Sequence, residues 1–240
     1  MKIVDAHSHV YGYSKNELEK LKKGFIIISV SEDYSTSKKS IELSKIYRSI
    51  IPAVGIHPWT AHKINVKDEI RKIEELIKKV SIKIIGEIGL DKTRFRKTID
   101  MQLKVFEELL KIAADHDLAV NIHSAGTAGK IFQLLLKYDI KKAYFHWYTG
   151  SISLMKQIES VGYFIGINVV FEDSKNNFET AKDVNLHNVL FESDGPYKTR
   201  GIRLSTFMLK NMIEKFAELR GIKPEKVIKI SCKNLMRYLK

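Results

Sequence analysis

With one cysteine, Cys232, the 240-residue chain has no internal disulfide. It contains no run approaching the roughly 18 consecutive apolar residues that a membrane-spanning helix needs, which excludes such a span. Its start enters an apolar segment directly, without the charged-then-apolar pattern of a secretory leader, so an intracellular, cytoplasmic protein is expected. Low-complexity linkers and clear repeats are missing as well, and nothing divides residues 1–240 into more than one domain. Acidic residues are in short supply: 28 against 41 lysines and arginines, a formal charge of +13. A basic surface attracts polyanions. Here, however, Lys15, Lys20, Lys22, Lys38, Lys39, Lys78 and Lys79 are spread over many helix surfaces. That spread is common in lysine-rich proteins from hot environments, so charge alone says little for nucleic acid. At 44% hydrophobic residues the chain is a soluble, globular type with a full core.

What recurs is a pattern: a short β-rich apolar run, a polar turn, then a longer helical segment. The strand candidates are "KIVDAH", "FIIISV", "IIPAVGIH", "IKIIGEIG", "LAVNIH", "KAYFHW", "YFIGIN" and "NVLFES". Between them, segments such as "KSIELSKIYRSI", "KDEIRKIEELIKKV", "MQLKVFEELLKIAADHD" and "GKIFQLLLKY" carry apolar residues at three- and four-residue spacing. Strands alternating with helices pair in parallel, and eight of them predict a (β/α)8 TIM barrel. The tails "LSTFMLKNMIEKFAELRG" and "KPEKVIKISCKNLMRYL" add two C-terminal helices, the second starting near Pro224. The stretch "FEDSKNNFETAKDV" is the least regular and predicts a short helix after the seventh strand. Cys232 lies in the last helix, where its role is packing.

The polar residues fall at one end of these strands. Asp5, His7 and His9 alternate along the first and point one way if the extended conformation persists. Buried imidazoles need partners, and a divalent ion serves both histidines. The third strand ends in His57, the fourth in Glu87, the fifth in His123, the sixth in His146, the seventh in Asn168 and the eighth in Asp194. In a barrel those ends share the rim that builds the active site. Any one of them has a bland reading; His57 before Pro58 reads first as a satisfied loop residue, and His62, His116 and His187 as incidental. Four imidazoles and two carboxylates exceed what one four-coordinate ion needs, and two ions sharing a carboxylate fit better. Glu87, between Gly86 and Gly89, is the natural bridge because small neighbours allow a close approach. Mixed nitrogen and oxygen donors suit zinc, manganese or magnesium without selecting one.

These segments resemble the TatD family of metal-dependent deoxyribonucleases, within the amidohydrolase-like barrel superfamily. The resemblance rests on "DAHSH", "VGIHPW", "GEIGLD", "NIHS", "FHWYTGS" and "ESDGPY", and runs nearly the full chain. It implies that His7, His9 and Asp194 hold one ion, that His123 and His146 hold a second, and that Glu87 joins the two. Asp194 would also accept a proton from the attacking water, and Asp5 would orient a ligand imidazole from behind. The activity implied is cleavage of DNA phosphodiesters, often from a 3′ end.

Two departures bear on substrate. The family pattern His-Ser-Arg reads His123-Ser124-Ala125, without its cation, and His-Cys-Phe-Ser-Gly reads His146-Trp147-Tyr148-Thr149-Gly150. Trp147 and Tyr148 either stack on a base or pack at the rim. Lys198, Arg200 and Arg203 follow the eighth strand and are candidates for the missing phosphate contacts, with His57 a further substrate-contact candidate. The alternative activity is two-metal hydrolysis of an amide or ester, in a small molecule or an aminoacyl-tRNA. A non-catalytic nucleic-acid-binding protein would have no use for six metal ligands.

Overall fold

A computed structural model describes residues 1–240. Eight strands pair in parallel and in chain order: β1 (Ile3–Ser8), β2 (Phe25–Ser29), β3 (Ile50–Val54), β4 (Ile84–Gly89), β5 (Ala119–His123), β6 (Ala143–Phe145), β7 (Phe164–Asn168) and β8 (Val189–Glu192). Just beyond β8 the chain returns to β1. The backbone N–H of Asp194 donates to His7 O at 2.9 Å, and that of His9 donates to Gly195 O at 2.7 Å. The sheet thus curls into the expected (β/α)8 barrel, with those two bonds at its seam.

Each strand is followed by a helix: α1 (Lys15–Leu21), α2 (Tyr34–Ile46), α3 (Val66–Lys79), α4 (Ile99–Asp115), α5 (Ala128–Lys137), α6 (Ile152–Ser160), α7 (Lys175–Asp183) and α8 (Leu209–Leu219). Only α9 (Pro224–Tyr238) is additional, because α8 completes the eightfold alternation. Leu235 and Tyr238 of α9 pack with Val4, Ile28, Ile84, Tyr144 and Leu190 inside the barrel, closing the end opposite the strand C-termini. The second, larger core fills the space between barrel and helices, where Phe106, Leu109, Ile131, Met155 and Phe216 present their apolar stripes. Cys232 sits partly buried beside the barrel-end cluster, its thiol directed at Lys2 O.

Boundaries shift where capping and loop chemistry override periodicity. Helix α2 starts at Tyr34, earlier than its apolar spacing predicts, because Asp33 accepts the Thr36 N–H at 2.8 Å and caps it. Strand β3 stops at Val54 and β6 at Phe145, so His57 and His146 stand in the loops just past their strands. The irregular stretch after β7 forms a single 3-10 turn and then the nine-residue α7, capped by Ser174. No helix is long and apolar enough to cross a membrane.

Candidate metal centre

Five imidazoles and two carboxylates converge at the C-terminal rim, and Glu87 stands between them. Its Oε2 lies 3.3 Å from His7 Nε2 and 3.5 Å from His9 Nε2. Both of those nitrogens also face Asp194 Oδ1, at 3.5 and 3.3 Å. The other oxygen, Oε1, lies 2.8 Å from His123 Nδ1 and 3.3 Å from both His57 Nε2 and His146 Nε2. One buried carboxylate therefore offers one oxygen to each of two donor groups. Donor atoms of His7, His9 and Asp194 lie within 4.8 Å of one another, as do those of His57, Glu87 and His123.

Local backbone explains the convergence. A bulge in β1 between Asp5 and Ser8 breaks the period-two alternation. Val4 and Ala6 join the barrel interior, and His7 then turns toward the rim centre. A side chain on Gly86 would collide with Asn121 of β5, and one on Gly89 with the His123 carbonyl, so glycine lets β4 carry Glu87 close against β5. Asp194 and Trp147 hold positive φ values of 56° and 38°, a conformation uncommon for non-glycine residues that concentrates at functional sites.

The outer hydrogen bonds orient each ring and bear on which nitrogen carries a proton. His7 Nδ1 meets Asn121 Oδ1 at 2.8 Å, and that amide is oriented by its own donation to Ala6 O at 3.0 Å. His7 Nδ1 is therefore the N–H. Its Nε2, buried and without a hydrogen-bond partner, points a lone pair at two carboxylate oxygens. That juxtaposition is repulsive unless a cation lies between them. His146 Nδ1 is likewise held by Glu192 Oε1 at 3.1 Å, His123 Nε2 by Asp91 Oδ2 at 3.2 Å, and His9 Nδ1 by the Tyr11 hydroxyl at 2.9 Å. Glu192 is fixed in turn by the Trp147 N–H at 2.8 Å and by the Tyr144 hydroxyl. Acceptors behind ring nitrogens are the usual setting of metal-bound histidine, so the donor set fits divalent ions. His57 is reversed. Its Nδ1 accepts the Trp59 N–H at 3.2 Å, which leaves the proton on Nε2, facing Glu87.

The charges follow from this packing. Burial alone would raise the Glu87 carboxyl, but His57, His7, His146 and the His123 hydrogen bond hold it well below its ordinary value. Asp194 is lowered in the same way, its burial outweighed first by His9. His146 is pushed well above 6.5: burial opposes this, while Glu192 and Glu87 prevail. His9 and His123 are raised against burial by their carboxylate neighbours, and His57 is lowered by burial.

Several expectations need correction. Asp5 accepts the backbone N–H of His7 at 3.3 Å and does not reach its ring. It accepts the Ser193 N–H and hydroxyl at 3.0 and 2.6 Å and the Thr206 hydroxyl at 2.7 Å, so it ties β1 to the loop carrying Asp194. Tyr148 is buried in the core with its hydroxyl on Ser151 O, leaving Trp147 as the rim aromatic. Arg203 pairs with Glu17 at 2.6 Å and lies outside the cavity at the centre. Lys198 is exposed on a two-residue hairpin strand, also away from that cavity, whereas Arg200, which donates to Asp173 O, lines the cavity next to it. Sequence reasoning missed Asn121, Asp91, Glu192 and Tyr11. Asn121 and Glu192 stand two residues before His123 and Asp194, a same-face spacing that carried a usable signal.

The profile of the family described as "TatD related DNase" matches residues 4–240. An uncharacterized metal-dependent hydrolase of Methanocaldococcus jannaschii is 29% identical, over 100% of this chain and 98% of its own length. Deoxyribonuclease Tat-D of Schizosaccharomyces pombe is 31% identical, over 69% of this chain and 57% of its own. Among solved structures, a TatD homologue from Escherichia coli superposes with a TM-score of 0.90 at 20% identity, covering 99% of this chain and 97% of that one.

Proposed function

The chain belongs to the TatD family of metal-dependent hydrolases, and we propose that it hydrolyses DNA phosphodiesters at a two-metal centre, removing nucleotides from a 3′ end. The observation that carries the two-metal reading is Glu87, with one oxygen toward each donor group. His7, His9, Asp194 and Glu87 Oε2 would hold one ion, and His123, His146 and Glu87 Oε1 the other. Zinc, manganese or magnesium bound there would activate a water and neutralise charge on the phosphate oxygens.

The residues of the chain supply the rest. Asp194 turns Oδ1 toward both histidines, which leaves its second oxygen free to take the proton of an attacking water. His57 lines the cavity wall with its Nε2 shared with Glu87, and a substrate oxygen is its second proposed partner. Trp147 offers a face on which a base can stack.

The test is digestion of 5′-labelled single-stranded DNA by metal-loaded protein, with and without chelator, beside an uncharged ester and an aminoacyl-tRNA. A ladder shortening from the 3′ end, abolished by chelator, is the expected result. Hydrolysis of the ester or aminoacyl bond with DNA left intact would instead select acyl chemistry at the same centre.

A further inference from the structure

Two cavities adjoin at the rim. The one at the metal centre encloses about 240 Å³ and the one beyond it about 560 Å³. Thr93, Arg94, Ala125, Trp147, Thr149 and Thr199 line both, so the two share a wall and a passage. Position 125 contributes only a methyl group to that wall, and a longer side chain there would enter the passage. Glu32, Glu87, Asp91 and Asp194 line the inner cavity, whereas Arg94 is its sole guanidinium or ammonium group.

Resting on the phosphodiester reading above, we propose that Arg94 is the residue that grips the substrate backbone, and that Ala125 leaves room for the strand to run on into the outer cavity. Arg94 is built for this. Its backbone N–H donates to Asp91 Oδ1 at 2.8 Å, and the same carboxylate's Oδ2 takes the Trp59 indole N–H at 2.6 Å. The guanidinium then lies over Trp59 and Tyr197, 5.1 and 5.9 Å from the ring centroids, with one donation to the Tyr197 hydroxyl at 2.7 Å. No carboxylate pairs with it, in contrast to Arg203, which Glu17 neutralises. Its remaining N–H groups form a planar fork, pre-oriented by two aromatic rings, of the geometry that binds phosphate oxygens in pairs. Arg200 lines only the outer cavity, so cations stand at successive points along one cleft. That spacing suits a chain of phosphates better than a single nucleotide.

The test uses metal-loaded protein and a fluorescein-labelled single-stranded 10-mer with phosphorothioate linkages, followed by anisotropy over a salt series. KM and kcat are measured separately on the unmodified strand. Arg94→Gln should weaken binding about 10- to 100-fold, the worth of hydrogen bonds to a charged group. It should also flatten the log–log salt slope by about 0.7, one phosphate contact on a single strand. KM should rise while kcat at saturation stays within a few-fold, and metal content should be unchanged. Arg94→Lys should keep the slope and recover part of the affinity. Ala125→Leu, which fills the space between the two cavities without adding charge, should weaken binding of the 10-mer while leaving the salt slope unchanged, and wild-type affinity in that variant would overturn the role given to Ala125. A slope and affinity unchanged in Arg94→Gln, with DNA still cleaved, would overturn the role of Arg94 and leave the phosphodiester reading standing. Wild-type protein that neither binds nor cuts DNA would overturn that reading itself.

Discussion

Asn121→Ala should expose how far the centre depends on a residue that is itself no ligand. Asn121 is fully buried and makes two bonds, accepting from His7 Nδ1 at 2.8 Å and donating to Ala6 O at 3.0 Å. Truncation leaves a buried imidazole N–H and a buried carbonyl without partners. Each stranded group costs about 1–3 kcal/mol, so the metal-free protein should lose about 2–6 kcal/mol of stability. The functional effect is separate. Without its acceptor, His7 is free to place its proton on Nε2, the nitrogen that faces Glu87 and Asp194. Loss of such an outer partner costs about 10–100-fold in metal affinity, and the loss should fall on one of two binding steps resolved by chelator competition. Asn121→Asp keeps the acceptor and gives up only the donor to Ala6 O. It should lose stability yet bind metal at least as tightly as the wild type. Competition titrations beside thermal melts distinguish the two effects. Asn121→Ala with wild-type affinity at both steps would refute the assignment of the His7 proton and the argument built on it.

Three further outcomes follow from the same geometry. Glu87→Ala should lower metal content at both positions together, by elemental analysis, since one oxygen serves each group; two tightly held ions in that variant would remove Glu87 from the centre. Asp194→Asn keeps one ligating oxygen but accepts no proton, so single-turnover rates should fall about 10²–10⁴-fold while substrate affinity changes little; near-normal hydrolysis at saturating metal would place the proton elsewhere. In the metal-free protein His9, His123 and His146 are raised above 6.5, so their stabilisation is complete below that pH and is lost as pH rises through their folded values. His57, lowered, acts in the opposite sense and offsets part of this. Because metal displaces the protons of the raised imidazoles, the gap in Tm between metal-loaded and chelated protein should widen above about pH 6.5, and a gap that narrows there would contradict the assignment.

The eight strands were legible because each is a compact apolar run bounded by a helix of clear period, and the chain order of "KIVDAH" through "NVLFES" is the spatial order of the sheet. The inner polar residues were legible for a related reason, since Glu87, His123 and Asp194 each stand at or just past the C-terminal end of a largely apolar strand. Asp5 was misplaced because alternation presumes an unbroken pleat. The bulge after Asp5 takes that side chain away from the imidazoles and onto Ser193 and Thr206, and nothing in "IVDAHS" marks it. For Tyr148 the structure takes packing, the second of the two alternatives, over stacking on a base. The positive φ at Trp147 reverses the local direction of the chain, sending one aromatic to the cavity and its neighbour to the core.

Imidazole polarity lies deeper still, because it is written in residues distant in sequence. Asn121 stands 114 positions from His7, Glu192 46 from His146 and Asp91 32 from His123. All three are acceptors, and all three turn a lone pair inward. Behind His57 stands a donor, the Trp59 N–H only two positions away, and it turns a proton inward instead. The sequence already sets His57 apart from the other four histidines as a loop residue and substrate-contact candidate, but it carries no sign of how any ring is turned. The hydrogen bonds put acceptors behind His7, His123 and His146, a hydroxyl behind His9 and a donor behind His57. On that division His57 is assigned to the substrate, even though its Nε2 is as near to Glu87 as that of His146.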